Sequence, residues 1–259
     1  METRVVSVIS GKGGVGKTTT VANLGAALTA MGVETLIIDG NIDTPNLALH
    51  FGITEIHWSF QDVLNGRVDA ARATLVHSKS GVRILPSSLK YQPADMKNLR
   101  GALDQLTGYE IIIIDSPPGV IGHVEDIIEA SDEVIVISTP DIPGVVNAAK
   151  AVKLSRDIGK TNILLVLNKV LEKKFELKKK EVEFISDCEI VCAIPEDEAV
   201  PLSLGDKIPV VLNNPTSPAA QKFKELAGII SRKGFAFVPA PRRGFFSRII
   251  GFFKRLFGR

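Results

Sequence analysis

The sequence has few cysteines and no long apolar run, which are the features that define disulfide-rich and membrane-spanning proteins. It has two cysteines, Cys188 and Cys192, in 259 residues, which excludes a disulfide-stapled secreted fold. Because Cys192 lies in an apolar run, we expect it to be a core residue rather than a metal ligand. No apolar run reaches the ~20 residues that a membrane-spanning helix needs. We also expect no N-terminal signal, since Met1–Arg4 leads directly into the first predicted strand.

The net charge is small, but the charges are unevenly placed. The chain has 31 Lys and Arg against 29 Asp and Glu, a formal net charge of +2. Residues 232–259 hold eight Lys or Arg and no Asp or Glu, so the rest of the chain has 23 basic and 29 acidic residues, a net of −6. An acidic body argues against nucleic acid as a partner, and the basic end is suited to an anionic surface.

A glycine-rich loop follows the first predicted strand and precedes a predicted helix that ends near Met31. This order is the context that a phosphate-binding P-loop requires. Glycines keep side chains away from the phosphates, so that backbone N–H groups can bind them. We expect Lys17 to neutralise the β- and γ-phosphates and the Thr18 hydroxyl to join the shell of Mg²⁺. The predicted nucleotide-binding residues of the loop are Gly11, Lys12, Gly13, Gly14, Val15, Gly16, Lys17, Thr18 and Thr19.

Lys12 is an additional lysine directly after the first glycine. With it the loop resembles the deviant P-loop of the MinD/ParA family of dimerising ATPases. The resemblance implies ATP and Mg²⁺ as cofactors and an ATP-dependent homodimer. It also implies that Lys12 crosses the two-fold interface to the phosphates of the partner's ATP, so that pairing depends on an intact γ-phosphate.

The second predicted strand ends at Asp39, and the loop after it resembles switch I of the family. The resemblance implies that Asp39 acts at the phosphates and Mg²⁺. The family has a second aspartate two residues later, where it orients the attacking water, but this chain has Asn41. An amide can position water but cannot accept its proton, so we expect slow hydrolysis, with Asp43 as the candidate substitute. The alternative for Asp39 and Asp43 is turn formation and helix capping.

A strongly apolar run ends at Asp115, and the Ser-Pro-Pro-Gly sequence after it resembles switch II. The resemblance implies that Asp115 holds Mg²⁺ through water and that Gly119 offers its N–H to the γ-phosphate. Asn168 ends a later predicted strand, where related P-loop folds read the edge of the base. No aspartate stands three residues after it, so we expect adenine. A loop that resembles the adenine-flanking segment of the family adds Pro195 and Asp197.

Apolar runs separated by helical segments predict an α/β fold with a doubly wound, mostly parallel sheet of P-loop NTPase type. The expected strands are residues 4–10, 34–38, 82–85, 109–115, 133–138, 162–168 and 189–194. Besides the helix after the P-loop, the expected helices are residues 60–65, 93–106, 143–158 and 216–230. We predict an ATPase domain over residues 1–232, a proline-containing linker over 233–244 and a C-terminal amphipathic helix over 245–259.

The C-terminal segment over 245–259 combines phenylalanines with basic residues. On a helix its apolar side chains form one wide face and its cations occupy the remainder, which is typical of a helix lying in a membrane interface. The segment also resembles the membrane-targeting end of MinD-type members of the family. The alternative is a helix packed on its own domain or on a partner. The predicted membrane-binding residues are Phe245, Phe246, Ile249, Ile250, Phe252, Phe253, Leu256 and Phe257.

These features together predict a cytoplasmic ATPase, peripheral on the inner face of the cell membrane, that acts in spatial regulation such as division-site placement. We expect an activating or cargo protein as a further partner. One alternative is a ParA-like partitioning ATPase that carries cargo on DNA, which the acidic body disfavours. Another is an ATP-binding membrane scaffold with very slow hydrolysis, which Asn41 favours. An iron–sulfur carrier would need cysteines that bridge a dimer, and Cys188 and Cys192 do not follow a switch strand.

Overall fold

The computed structural model describes residues 3–231. The predicted linker over 233–244 and the predicted amphipathic helix over 245–259 lie outside the described residues. None of the helices between residues 3 and 231 combines the length and the apolar character that crossing a bilayer requires.

Eight strands form one sheet in the described part of the chain. They are β1 Arg4–Ile9, β2 Thr35–Asp39, β3 Leu75–Val76, β4 Arg83–Leu85, β5 Ile111–Asp115, β6 Glu133–Ser138, β7 Ile163–Val170 and β8 Ile190–Pro195. Their spatial order is β3-β4-β2-β5-β1-β6-β7-β8, and each neighbouring pair is parallel except β3 with β4. The order runs outward from β1 in both directions, which confirms the predicted doubly wound sheet of an α/β fold.

Helices cover both faces of this sheet. Those between residues 3 and 231 are α1 Lys17–Ala30, α2 Phe60–Leu64, α3 Ala70–Ala73, α4 Leu99–Asp104, α5 His123–Ala130, α6 Ile142–Asp157, α7 Lys179–Ser186, α8 Ala199–Gly205, α9 Val210–Asn213 and α10 Pro218–Ile230. Side-chain caps fix the first residues of the long helices α6 and α10. Asp141 accepts the N–H of Gly144 in α6, and Ser217 accepts the N–H of Ala220 in α10.

The central strands are buried on both faces because helices pack on each side. All five residues of β5, Ile-Ile-Ile-Ile-Asp, are buried. In β1 successive side chains enter opposite halves of the core. Val6 and Val8 pack with residues of α1 and α10, whereas Val5 and Ile9 pack on the other face. A continuous apolar run is what a strand covered on both faces requires.

Parallel strands bring their carboxyl ends to one edge of the sheet, the carboxyl edge. The strands β1, β2 and β5 are neighbours and reach this edge at Ile9, Asp39 and Asp115, so the loops that follow them lie together. Helix α10 ends at the opposite edge, where Nη2 of Arg4 donates a hydrogen bond to the carbonyl of Ile230. The P-loop and the end of the described chain therefore lie at opposite edges of the sheet.

The structure confirms the seven expected strands to within two residues at each end. The expected single helix over 93–106 is wrong. A 3₁₀ turn at Met96–Asn98 comes first, and α4 begins only at Leu99. Asp95 is extended and its side chain accepts the N–H of Lys97, so it caps the short turn and prevents a longer helix from starting at Pro93. The strand β3 and the helices α3, α5, α7, α8 and α9 are not among the elements expected from the sequence.

Both cysteines are buried, which confirms the core position predicted for Cys192. Burial raises the pKa of Cys188 to about 12 and the pKa of Cys192 to about 11. The thiolate is the reactive form of cysteine, so these two thiols are unreactive at neutral pH.

Candidate nucleotide site

The P-loop joins the end of β1 to the start of α1. Gly16 caps α1 in the left-handed region, with φ of 95°. A Cβ atom at this position would lie 2.2 Å from Nδ2 of Asn168. The same Nδ2 donates a hydrogen bond of 2.8 Å to the carbonyl of Val15. Glycine is therefore required at position 16 both by the backbone conformation and by the close approach of Asn168.

The helix α6 lies against the other side of the loop. A Cβ atom on Gly11 would lie 2.2 Å from the carbonyl oxygen of Asn147 in α6. The first glycine of the P-loop is therefore needed for helix packing as well as for phosphate access. Gly13 and Gly14, between these two fixed points, are exposed. The loop is thus held at both ends and open in the middle, where a P-loop binds phosphate.

The two lysines of the loop have opposite environments. Lys17 is buried, and its Nζ donates a hydrogen bond of 3.0 Å to Oγ of Ser10. Burial lowers the pKa of Lys17, and the nearby charge of Asp115 acts in the opposite direction. Lys12 is exposed; its backbone carbonyl accepts a hydrogen bond of 2.7 Å from Oγ of Ser10, and the charge of its side chain is among the causes that lower the pKa of Asp141. Lys17 therefore belongs to the site of its own chain, whereas the ammonium group of Lys12 is accessible from outside.

Asp39 and Asp115 are the last residues of the neighbouring strands β2 and β5. The two residues are paired in the register of the sheet. Both residues are fully buried. Oδ2 of Asp115 accepts a hydrogen bond of 2.6 Å from Oγ1 of Thr18, and its buried Oδ1 has no hydrogen-bond partner within residues 3–231. Burial raises the pKa of both carboxyls, and the charge of Asp115 raises that of Asp39 further. Two desolvated carboxyls and a hydroxyl are hard oxygen ligands, so this group of residues fits Mg²⁺.

The carboxylate of Asp39 also shapes the switch I loop. It accepts three backbone N–H hydrogen bonds, of 3.2 Å from Asn41, 3.1 Å from Asn46 and 3.0 Å from Leu47. The carbonyl of Asp39 accepts a further hydrogen bond of 2.7 Å from Oγ of Ser87. The turn-forming role considered as the alternative for Asp39 is therefore real, and it coexists with a position beside Asp115.

Asn41 is buried within switch I, and its amide is turned into its own loop. Nδ2 of Asn41 donates to the carbonyl and the hydroxyl oxygens of Thr44 at 2.8 and 3.0 Å. The side chain of Asp43 is 63% exposed, and its Oδ2 lies 3.9 Å from Nε2 of His123 at the start of α5. The amide of Asn41 is therefore occupied by hydrogen bonds to Thr44. The carboxylate of Asp43, the candidate substitute, lies at the surface.

The N–H of Gly119 is engaged in this structure. Gly119 has φ of 102°, and its N–H donates a hydrogen bond of 3.0 Å to the carbonyl of Ser10. The predicted contact between this N–H and a γ-phosphate is therefore not preformed. A phosphate at this position would have to replace the carbonyl of Ser10 as the acceptor, so switch II must move for that contact to form.

A cavity of about 210 Å³ adjoins the P-loop at Gly16 and Thr19. The structure brings the three predicted base-binding residues, Asn168, Pro195 and Asp197, together in its lining. Lys169, which follows Asn168 at the strand end, also lines the cavity, as do Glu196, Val200, Pro201 and Leu204 of the expected adenine-flanking stretch 193–208. Phe223 of α10 is the lining residue that the sequence did not indicate. Apolar side chains facing a few polar groups are typical of a pocket for a flat heterocycle.

The carboxylate of Asp197 is committed to the backbone around this cavity. It accepts the N–H of Ala199 at 2.9 Å and the N–H of Ala219 at 3.0 Å. These bonds hold the start of α8 against the start of α10, so Asp197 shapes the wall of the cavity. The prediction that Asp197 belongs to the adenine-flanking loop stays a prediction, and the contacts of its carboxylate give it a role in positioning that loop.

The CobQ/CobB/MinD/ParA nucleotide binding domain matches residues 6–210 of the sequence. The chain belongs to this family. The matched range contains the P-loop, both switches and the cavity residues up to Leu204, and it confirms the predicted MinD/ParA resemblance. Within the family, the septum site-determining protein MinD of Thermotoga maritima is 32% identical over 243 residues, which cover 89% of either chain.

Solved structures of family members share the fold. The septum site-determining protein MinD of Pyrococcus horikoshii, complexed with Mg-ADP, has a TM-score of 0.84 and 30% identity, covering 90% of this chain and 97% of that one. A MinC:MinD cell division protein complex of Aquifex aeolicus matches with a TM-score of 0.82 and 26% identity, covering 92% of this chain and 98% of that one. As a member of this nucleotide-binding family, the chain presents residues that fit a nucleotide phosphate and Mg²⁺.

Proposed function

We propose that this chain is a MinD-like ATPase that forms a dimer on binding ATP and attaches to a membrane through its C-terminal segment. The observation that carries the proposal is the opposite placement of the two P-loop lysines. Lys17 is buried beside Ser10, while Lys12, five residues earlier in the same loop, is exposed. The exposure of Lys12 on the rim of the phosphate loop supports a contact with the nucleotide of a second subunit.

ATP and Mg²⁺ are the cofactors that these residues fit. Lys17 would bind the β- and γ-phosphates of its own subunit's nucleotide. Thr18, Asp39 and Asp115 would hold Mg²⁺, directly or through water. The bound ion would neutralise charge on the phosphates. Within the described residues, the buried Oδ1 of Asp115 has no hydrogen-bond partner, which supports this assignment, because an unpaired buried carboxylate oxygen is costly unless a cation or water satisfies it.

We propose that hydrolysis is slow because Asn41 cannot accept a proton from the attacking water. We expect Asn41→Asp to raise ATP turnover by about tenfold or more, as measured by phosphate release at saturating ATP. Asn214→Asp is the matched control, since Asn214 is exposed and its oxygen, which accepts from Thr216, is kept. A rate in Asn41→Asp that equals or falls below that of the parent protein contradicts the proposal.

The C-terminal segment supplies a weak membrane anchor in this proposal. Each cation near an anionic leaflet contributes about 1 kcal/mol, and buried apolar surface contributes about 25 cal/mol per Å². Ordering of the segment and repulsion between anionic lipid and the acidic body oppose these terms. One segment should therefore bind reversibly, whereas two segments on one dimer gain about 10²-fold in avidity.

Vesicle sedimentation tests the proposed membrane binding. The full chain is mixed with vesicles of zwitterionic and anionic phospholipid in the presence of ATP, ADP or no nucleotide. We expect ATP to raise the bound fraction by about tenfold or more over ADP. The comparison variant ends at Pro241 and should remain in the supernatant under all three conditions. Equal binding with every nucleotide, or a chain that stays monomeric at saturating ATP and Mg²⁺, would overturn the proposal.

We propose a role in spatial regulation, such as division-site placement, in the cytoplasm at the inner face of the cell membrane. The names of the MinD relatives support this role, and the MinC:MinD complex of the Aquifex protein supports a protein partner. A second candidate function, an ATP-binding membrane scaffold that hardly hydrolyses ATP, is favoured by the amide at position 41. The turnover of the parent protein with and without vesicles distinguishes the two, because a scaffold would show no stimulation by lipid.

A further inference from the structure

Ser10, directly after β1, contacts both the P-loop and switch II. The residue is fully buried. Its carbonyl accepts the N–H of Gly119 at 3.0 Å. Its Oγ donates to the carbonyl of Lys12 at 2.7 Å and accepts from Nζ of Lys17 at 3.0 Å. A single residue therefore contacts the backbone of switch II, the backbone of the P-loop and the lysine that is expected to bind phosphate.

These contacts fix the orientation of the Ser10 hydroxyl. A hydroxyl has one proton to donate and two lone pairs that accept. The proton is donated to the carbonyl of Lys12, so only lone pairs are available to Lys17. The hydrogen bond from Gly119 holds the backbone of Ser10 in place. The hydroxyl is therefore a fixed acceptor for one of the three N–H donors of the Lys17 ammonium group.

The carboxylate of Asp115 is an alternative acceptor for Lys17. Burial lowers the pKa of Lys17 and the charge of Asp115 raises it. Burial raises the pKa of Asp115, while the hydrogen bond from Thr18 and the charge of Lys17 lower it. Within residues 3–231, Nζ of Lys17 bonds to Ser10, and the buried Oδ1 of Asp115 has no hydrogen-bond partner. Opposite charges attract strongly in a poorly solvated site, so an ion pair between Lys17 and Asp115 is the competing arrangement.

We propose that Ser10 is a positioning residue that keeps Lys17 out of an ion pair with Asp115 in the empty site. The proposal rests on the proposed function, because that function assigns Lys17 to phosphate and Asp115 to Mg²⁺. While Ser10 holds Lys17, the remaining N–H donors of the ammonium group are available to an incoming phosphate. Asp115 keeps one oxygen available to the metal ion. An ion pair between the two side chains would occupy both groups at once.

Loss of the Ser10 hydroxyl removes this acceptor. A buried ammonium group without a partner is costly, so Lys17 should turn to the open Oδ1 of Asp115. A nucleotide must then break the new ion pair before its phosphates reach Lys17. The apparent affinity falls in proportion to the fraction of molecules in which Lys17 is available. This loss is independent of Mg²⁺, since it arises between two side chains of the chain itself.

A metal-free double-mutant cycle tests the proposal. The affinity of the full chain for a fluorescent ADP analogue is measured in EDTA, because ADP prevents hydrolysis and ATP-dependent pairing. We expect Ser10→Ala to weaken binding by about tenfold in the parent chain. In an Asp115→Asn background the same substitution should cost less than about twofold, because a neutral amide does not capture the ammonium group. Equal losses in the two backgrounds overturn the proposal, since a merely structural role of Ser10 would act in both.

Ser7→Ala is the matched control for loss of a buried hydroxyl. Ser7 lies in β1 and is fully buried, and its Oγ donates to the carbonyl of Glu133 at 3.4 Å, at the start of β6. This variant should bind ADP as the parent chain does, with and without the Asp115→Asn substitution. A tenfold loss in Ser7→Ala would mean that any hydroxyl removed from β1 disturbs the site, which contradicts a specific role of Ser10.

A crystal structure of the nucleotide-free Ser10→Ala chain is a second measurement that needs no substitution at Asp115. We expect Nζ of Lys17 within about 4 Å of the carboxylate of Asp115, the distance of an ion pair. A Lys17 side chain that keeps its original direction overturns the proposal.

The outcomes separate this inference from the proposed function. A parent chain that binds no ADP, with or without Mg²⁺, overturns the proposed function and the role of Ser10 with it. A parent chain that binds ADP, together with a Ser10→Ala chain that binds it equally well, overturns only the role of Ser10.

Discussion

Gly16→Ala should abolish nucleotide binding. The new Cβ would lie 2.2 Å from Nδ2 of Asn168, so either the P-loop or the Asn168 side chain must move out of the base cavity. The residue would also keep a left-handed conformation, at φ of 95°, which costs an alanine about 1–2 kcal/mol. We expect the affinity for a fluorescent ATP analogue to fall by about 100-fold or more, equivalent to about 2.7 kcal/mol.

Gly159→Ala separates the effect of the close contact from that of backbone strain. Gly159 has φ of 96°, almost the value of Gly16, but a Cβ atom there would have no neighbour within 4 Å. We expect this control to lower the thermal stability by the same strain of about 1–2 kcal/mol and to leave nucleotide affinity intact. If both variants bind ATP normally, Asn168 does not lie where this structure places it.

Lys12→Ala should keep nucleotide binding and lose ATP-dependent dimerisation. The side chain of Lys12 is exposed and Lys17 remains in place, so the affinity of the monomer for ATP should stay within about twofold of the parent value. In sedimentation equilibrium at saturating ATP and Mg²⁺, we expect the parent chain to be dimeric and Lys12→Ala to be monomeric. Loss of dimerisation should in turn reduce vesicle binding to the level seen without ATP, because the avidity of two segments is lost.

Lys90→Ala is the control for removal of one positive charge, since Lys90 is exposed in the loop after β4. This variant should dimerise with ATP as the parent chain does. A Lys12→Ala chain that still dimerises with ATP would show that the exposed lysine of the P-loop does not contact the second subunit. A chain that loses ATP binding altogether would show that Lys12 acts within its own site.

The site residues whose positions depend on the order of neighbouring segments in the chain could be predicted from the sequence. Lys17 and Thr18 follow the glycines at fixed spacing, and a strand before and a helix after them determine where they lie. Asp39 and Asp115 are far apart in sequence, but each ends an apolar run. Parallel strands place such ends at the same edge, so their meeting followed from the pattern as well.

The remaining contacts depend on tertiary placement, which no local pattern reports. The engagement of Gly119 with Ser10 brings together residues of two different loops. Helix α8 looks like a loop in the sequence because it contains Pro201 and ends at Gly205. Proline is tolerated there because it lies in the first turn of the helix. Backbone N–H groups in that turn have no acceptor within the helix, so the absence of an N–H in proline breaks no hydrogen bond.

The three hydrogen bonds that the carboxylate of Asp39 accepts lower the entropic cost of ligand binding. A carboxylate offers about four acceptor positions, and the loop from Asn41 to Leu47 already uses three of them. The conformational entropy of these residues, about 1–2 kcal/mol each, is lost when the chain folds. An incoming metal–nucleotide complex meets a preorganised loop, so its binding energy is not spent on ordering that segment.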